Sequence, residues 1–156
     1  MSVDYMNLEQ IQQAKEILKH RTNGERDSLL FFLGINTGLR ISDLLELTLK
    51  DLKRGIVRMN KTGKLVQLFM VNELVSIVSE YCQKNGIGED DLIFTTLRKR
   101  NGGKRAVVEK MSYNNALTII KEVGQELGLS KHMIALLNIR DVLKPKGMLM
   151  YRWCCY

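Results

Sequence analysis

Hydrophobic and polar positions alternate along this chain with two different periods, and the switches between them mark its elements. Leu8, Ile11, Ile17 and Leu18 form an apolar stripe at helical spacing, and Asn7 with Gln10 forms a capping box, so a helix is predicted over 8–19. Polar residues at 20–24 turn the chain. Leu29, Leu30, Phe31, Phe32, Leu33 and Ile35 are nearly continuous, which sends a second helix, 25–36, through the core. Gly38 ends it, Ser42 and Asp43 offer to cap a short helix over 43–49, and a turn follows at 51–55.

From Ile56 the period is two. The runs 56–60 and 65–70 flank Lys61-Thr62-Gly63-Lys64, the pattern of a β-hairpin with a basic tip. Asn72 then caps a third long helix through Leu74, Val75, Val78, Tyr81 and Cys82, closed by Asn85-Gly86. Ser112 caps a last helix to Leu127, with Ala116, Leu117, Ile120, Val123 and Leu127 inward and Gly128 after it. The sum is an α+β fold, mainly helical, with a small antiparallel sheet near the hairpin.

Composition narrows what such a fold does. The 156 residues form one domain on length alone. Lys and Arg number 24 against 17 Asp and Glu, a net charge of +7, which favours a polyanionic partner over an acidic small molecule. Charge does not separate nucleic acid from a membrane surface, but no apolar run approaches a membrane span. The first residues lack the basic and apolar regions of a signal peptide, so a cytoplasmic location is expected. Cys82 stands alone, Cys154 and Cys155 are adjacent, and His20 and His132 do not cluster with carboxylates, so neither a metal nor a cofactor is expected. Arg98, Lys99, Arg100, Lys104 and Arg105 place five cations in eight residues around two glycines. That stretch reads equally as a loop that contacts phosphates and as a solubilising loop.

Arg40 is the candidate with a fixed position, because it sits in the elbow between the core helix and the short one. A guanidinium held there presents a planar fork of donors to a carboxylate or a phosphate at any working pH. Two readings stand side by side: a functional phosphate ligand, and a structural arginine that pairs with Asp43 or Glu46 and ties two helices together.

The run 37–51, TGLRISDLLELTLKD, resembles the first arginine box of the tyrosine recombinases, the phage integrase family. The hairpin resembles the one that follows this box, whose turn carries a catalytic lysine, and Lys61 corresponds to that lysine, with Lys64 a phosphate contact. Asp90-Asp91-Leu92-Ile93-Phe94 is similar to the family's next short segment. The resemblance covers 7–130 and implies the integrase catalytic-domain fold, a double-stranded DNA partner and homo-oligomers formed on DNA. It also implies metal-free cleavage and rejoining of DNA through a phosphotyrosine. Arg40 and Arg140 would hold the phosphate and Lys61 would protonate the leaving oxygen. In the last helix it implies a DNA-facing surface of Asn114, Asn115, Thr118 and Lys121.

The stretch 131–156 departs from the family pattern. Leu137-Asn138-Ile139-Arg140 keeps the second arginine and has leucine where the family has histidine, and the family's spacing puts the tyrosine nucleophile beyond residue 156, past Tyr151 and Tyr156. The expectation is an incomplete recombinase domain with a truncated or frameshifted end and no N-terminal clamping domain. The alternatives are a DNA-binding module derived from a recombinase that no longer cleaves, and a basic helical interaction protein in which Arg40 is structural.

Overall fold

A computed structural model describes residues 6–68, 72–99 and 106–129. Its elements are α1 (Leu8–Lys19), α2 (Gly24–Thr37), α3 (Ile41–Leu44), α4 (Leu49–Arg54), β1 (Ile56–Arg58), β2 (Leu65–Gln67), α5 (Asn72–Lys84), β3 (Thr95–Lys99), β4 (Ala106–Lys110) and α6 (Tyr113–Glu126). The fold is α+β and mainly helical, as the hydrophobic pattern predicts.

α2 is the central element. Leu29, Leu30, Phe31 and Leu33 on it are buried, α1, α3 and α6 pack against it, and the core continues through Leu18, Leu44, Leu45, Leu47, Phe94, Ile119 and Val123. Each such side chain removed from water contributes about 1.5–3 kcal/mol. The capping box at Asn7 and Gln10 is present, with Asn7 Oδ1 accepting from Gln10 N at 2.8 Å and Gln10 Oε1 accepting from Asn7 N at 2.9 Å. Gly24 starts α2 where it crosses the end of α1. A Cβ there would lie 2.6 Å from the carbonyl oxygens of both Leu18 and Lys19, so only glycine permits the approach.

Three local expectations are corrected. Ser42 does not cap the short helix: Arg40 is its N-cap residue, extended at φ −66° and ψ 151°, and its carbonyl accepts from the N–H groups of Asp43 and Leu44 at 2.9 Å. Burial of Ile41 pulls the helix start two residues earlier than the polar pair suggests. Second, residues expected as a turn at 51–55 are largely α4. Its start is a second capping box, Thr48 with Asp51: the Thr48 hydroxyl accepts from Asp51 N at 3.1 Å and the Asp51 carboxylate accepts from Thr48 N at 3.2 Å. Third, Arg98 and Lys99 are not in a loop. Both fall on β3, paired in register with Val107 and Ala106 of β4, which makes a second antiparallel ribbon that the alternation near Ile56 did not announce. The reason is exposure: Leu97 and Val108 face each other across this ribbon at 75% and 63% exposure, so no buried face imposes a readable period.

The first hairpin is shorter than predicted, pairing Ile56, Val57 and Arg58 with Gln67, Val66 and Leu65. Its base is held by Val57, Met59 and Leu68 in the core, and Leu68 N donates to Gly55 O at 2.7 Å. Residues 89–93 run beside the start of α4, with Ile93 N donating to Leu47 O at 3.0 Å and Lys50 N to Glu89 O at 3.0 Å. Lys50 pairs with Asp90 and Lys53 with Glu89 across that seam. Among the described residues no helix is long and apolar enough to cross a membrane.

Gly24→Ala is expected to cost about 1–3 kcal/mol, because the obstructing atoms are backbone and the helices must part. A drop in the urea midpoint at unchanged slope is the check. Burial pushes the Cys82 thiol and the Tyr81 phenol above their ordinary values, Tyr81 despite the counteracting Arg26 charge. Above about pH 8.5 the unfolded chain therefore loses these protons before the folded one, and stability falls as pH rises. Urea melts at pH 7 to 10 should show a shallower alkaline decline for Cys82→Ala than for the parent chain; an identical decline would remove Cys82 from this effect.

Candidate phosphate-binding site

The site is built at the far end of α2. Gly38 takes the left-handed conformation at φ 62°, its N–H donating to Gly34 O at 3.0 Å, and turns the chain out of the helix. The Thr37 hydroxyl donates to Leu33 O at 2.6 Å and accepts from Leu39 N at 3.3 Å, which fixes the direction in which the chain leaves. Leu39 and Ile41, at 5% and 3% exposure, plug into the core on either side of Arg40. The half-buried arginine between them has little freedom to turn away.

Neither carboxylate proposed as a structural partner takes it. Asp43 is buried at 1% exposure, and its Oδ1 accepts from the main-chain N–H of Asn60 at 2.9 Å. Glu46 pairs with Lys110 at the end of β4. Among the described residues no carboxylate pairs with the Arg40 guanidinium.

Asn60 is the residue that sequence reasoning passed over. Besides its N–H to Asp43, its side-chain Nδ2 donates to the Ser42 carbonyl at 3.2 Å. The bonds fasten the tip of the β1–β2 hairpin to the start of α3, and the next residue is Lys61. The turn beyond is closed by Gly63 at φ 64°, whose N–H donates to Met59 O at 2.8 Å, and is braced by Arg58 Nη1 on Gly63 O at 3.4 Å. Lys61 and Lys64 are exposed on it. The sequence signal for Asn60 was faint: an asparagine before a Lys-Thr-Gly turn, with no way to see its partners seventeen and eighteen positions earlier.

Of the other predicted site residues, Arg98 and Lys99 lie on β3, away from the expected loop, while Arg100, Lys104, Arg105 and Arg140 lie outside the described residues, as do Tyr151 and Tyr156. Asn114, Asn115, Thr118 and Lys121 are exposed on α6. A groove of about 1320 Å³ sits at the opposite end of α2, among the α1–α2 turn, the end of α5 and the β3–β4 ribbon. The α2 residues that line it, at the start of that helix, lie about 20 Å along the helix from the Arg40 end. The cations there are already engaged: Asp27, at 3% exposure, accepts from Arg26 at 2.8 and 3.0 Å and from Arg21 at 3.3 Å. Arg26 also donates to Thr95 O at 3.3 Å, and Arg21 pairs with Glu122 at 2.6 Å. That knot joins the α1–α2 turn, α2, β3 and α6, and explains the groove as a structural junction.

The model of the phage integrase family matches residues 4–135. The chain is 30% identical over 128 residues to the probable integrase/recombinase YoeC of Bacillus subtilis (strain 168), an alignment covering 80% of this chain and 64% of that protein. The crystal structure of XerA recombinase is similar at a TM-score of 0.58 and 18% identity, covering 88% of this chain and 47% of that one, which establishes likeness of fold. The chain thus spans less than two thirds of the length of either.

Two substitutions distinguish the two ends of α2. Arg40→Ala should leave stability within about 1 kcal/mol, since no ion pair is lost. Asp27→Ala strands two partly buried arginines and should cost about 3–5 kcal/mol. Chemical denaturation of both variants is the check, and a large loss for Arg40→Ala would return that residue to a structural role.

Proposed function

The chain belongs to the phage integrase family as a tyrosine recombinase domain, and on that premise we propose that it grips a DNA phosphodiester between Arg40 and Lys61 in strand cleavage and rejoining. The observation that supports this most is the open Arg40 fork beside a lysine turn fastened to the same elbow.

In this reading a tyrosine oxygen bonds to phosphorus while the bond from phosphorus to the 5′ oxygen breaks, leaving a 3′-phosphotyrosyl ester. The phenol proton passes to solvent. Lys61 gives a proton to the departing 5′ oxygen, so that a 5′ hydroxyl leaves. Arg40 meets the charge that grows on the non-bridging oxygens, held in place before the reaction so that no reorganisation is needed. Arg140 serves as the second arginine by resemblance. Lys64 and the basic residues Arg98, Lys99, Arg100, Lys104 and Arg105 contact flanking phosphates, which gives affinity without sequence preference. Rejoining reverses the step with a new 5′ hydroxyl as the attacking group, and copies of the chain act together on the duplex.

A nicked suicide duplex, on which cleavage releases a short strand and prevents religation, tests the reading. A covalent adduct on a denaturing gel that maps to a tyrosine and falls about 10²- to 10³-fold in rate with Arg40→Ala supports it. Salt-sensitive binding weakened by Arg40→Ala, with no adduct, means a DNA grip without chemistry. The absence of both binding and adduct overturns the proposal. In binding titrations Lys61→Ala should lower the slope of log affinity against log salt by about 0.9, the loss of one phosphate contact.

A further inference from the structure

Lys61 stands at the tip of a three-pair hairpin, and a ribbon that short does not hold a fixed position by itself. Core contacts end at Met59 below the tip, and Lys61, Thr62, Gly63 and Lys64 are all exposed. The described bonds that join the tip to the Arg40 elbow both come from Asn60: its N–H to Asp43 Oδ1 at 2.9 Å, and its Nδ2 to Ser42 O at 3.2 Å. Asp43 gives this attachment its strength. The carboxylate is buried, its Oδ2 has no hydrogen-bond partner among the described residues, and the Asn60 N–H is the described donor to its other oxygen. Withdrawal of the tip would leave the buried Asp43 side chain without a described donor, which is far more costly than loss of an exposed bond.

Ser42 and Asp43 directly follow Arg40 and Ile41 in the same short helix, so whatever fixes their backbone fixes the arginine. We infer that Asn60 is a positioning residue that sets the separation of Lys61 from Arg40 by latching the hairpin tip to Ser42 and Asp43. This rests on the reading of Arg40 and Lys61 as a joint phosphate grip. The side-chain amide is what the latch requires: alanine at 60 keeps the main-chain bond to Asp43 and deletes the bond to Ser42, freeing the tip to swing on the other.

A double-mutant cycle on the full chain separates positioning from mere folding. Affinity for a fluorescein-labelled duplex of mixed sequence is measured at low salt for the parent, Asn60→Ala, Lys61→Ala, the double variant and Arg40→Ala. Loss of one side-chain hydrogen bond should weaken binding about threefold to tenfold while Lys61 is present, and have no further effect once Lys61 is gone. Amide hydrogen exchange provides the second readout. The N–H of residue 60 should exchange faster by a similar factor in Asn60→Ala, while those of Ile93 and Met111, which are bonded inside the fold, stay unchanged. Equal loss in both lysine backgrounds, no loss in either, or faster exchange throughout the chain would each overturn the latch. Unchanged affinity in Arg40→Ala and Lys61→Ala would remove the phosphate grip and this inference with it. If those two variants weaken binding and Asn60→Ala does not, the latch alone is wrong.

Discussion

The structure turns on one constraint: the chain must leave α2 at Gly38 and enter α3 at Ile41 while burying both Leu39 and Ile41. With two apolar side chains committed to the core and one residue between them, Arg40 is directed by its neighbours rather than by a partner of its own. The same three residues put Asp43 inside, where its carboxylate reaches for the tip of the hairpin. A guanidinium placed by packing stays available to a ligand, whereas one placed by an ion pair is already spent.

The contrast with the other end of α2 makes the point. Arg21 and Arg26 are also partly buried and also belong to a tertiary junction, but both close on Asp27, and one reaches Glu122 as well. Lys50, Lys53, Lys84 and Lys110 are likewise paired, with Asp90, Glu89, Glu25 and Glu46. A net charge of +7 therefore does not translate into a uniformly available positive surface. The cations near the elbow, Arg40, Lys61 and Lys64, have no described ion pair, and they coincide with the box and turn by which the chain is similar to tyrosine recombinases.

Legibility followed burial and local chemistry. The capping box at Asn7, the core run of α2, the left-handed Gly38 and the cap of α6 at Ser112 were all plain, because each is decided within four or five residues by hydrogen-bond donors or by a buried stripe. α4 was misread although Thr48 and Asp51 form the same kind of box, since the charged stretch around it reads as a turn when weighed by composition. The β3–β4 ribbon was missed because both its faces are wet enough to carry no period. The start of α3 was displaced by two residues because the burial of Ile41 outweighs the capping preference of Ser42.

By itself, then, the sequence determined the mainly helical α+β class, the place of the core helix, the family, and Arg40 and Lys61 as the residues to examine. These depend on short-range periodicity and on a contiguous motif. Only the tertiary structure decided that Asp43 and Glu46 are engaged elsewhere, that Arg40 has no carboxylate partner among the described residues, and that Asn60 ties the lysine turn to the arginine elbow. Those facts depend on which donors meet which acceptors across gaps of seventeen to sixty-four residues. The allocation of a limited set of carboxylates among many cations is settled by packing geometry, which no local pattern encodes.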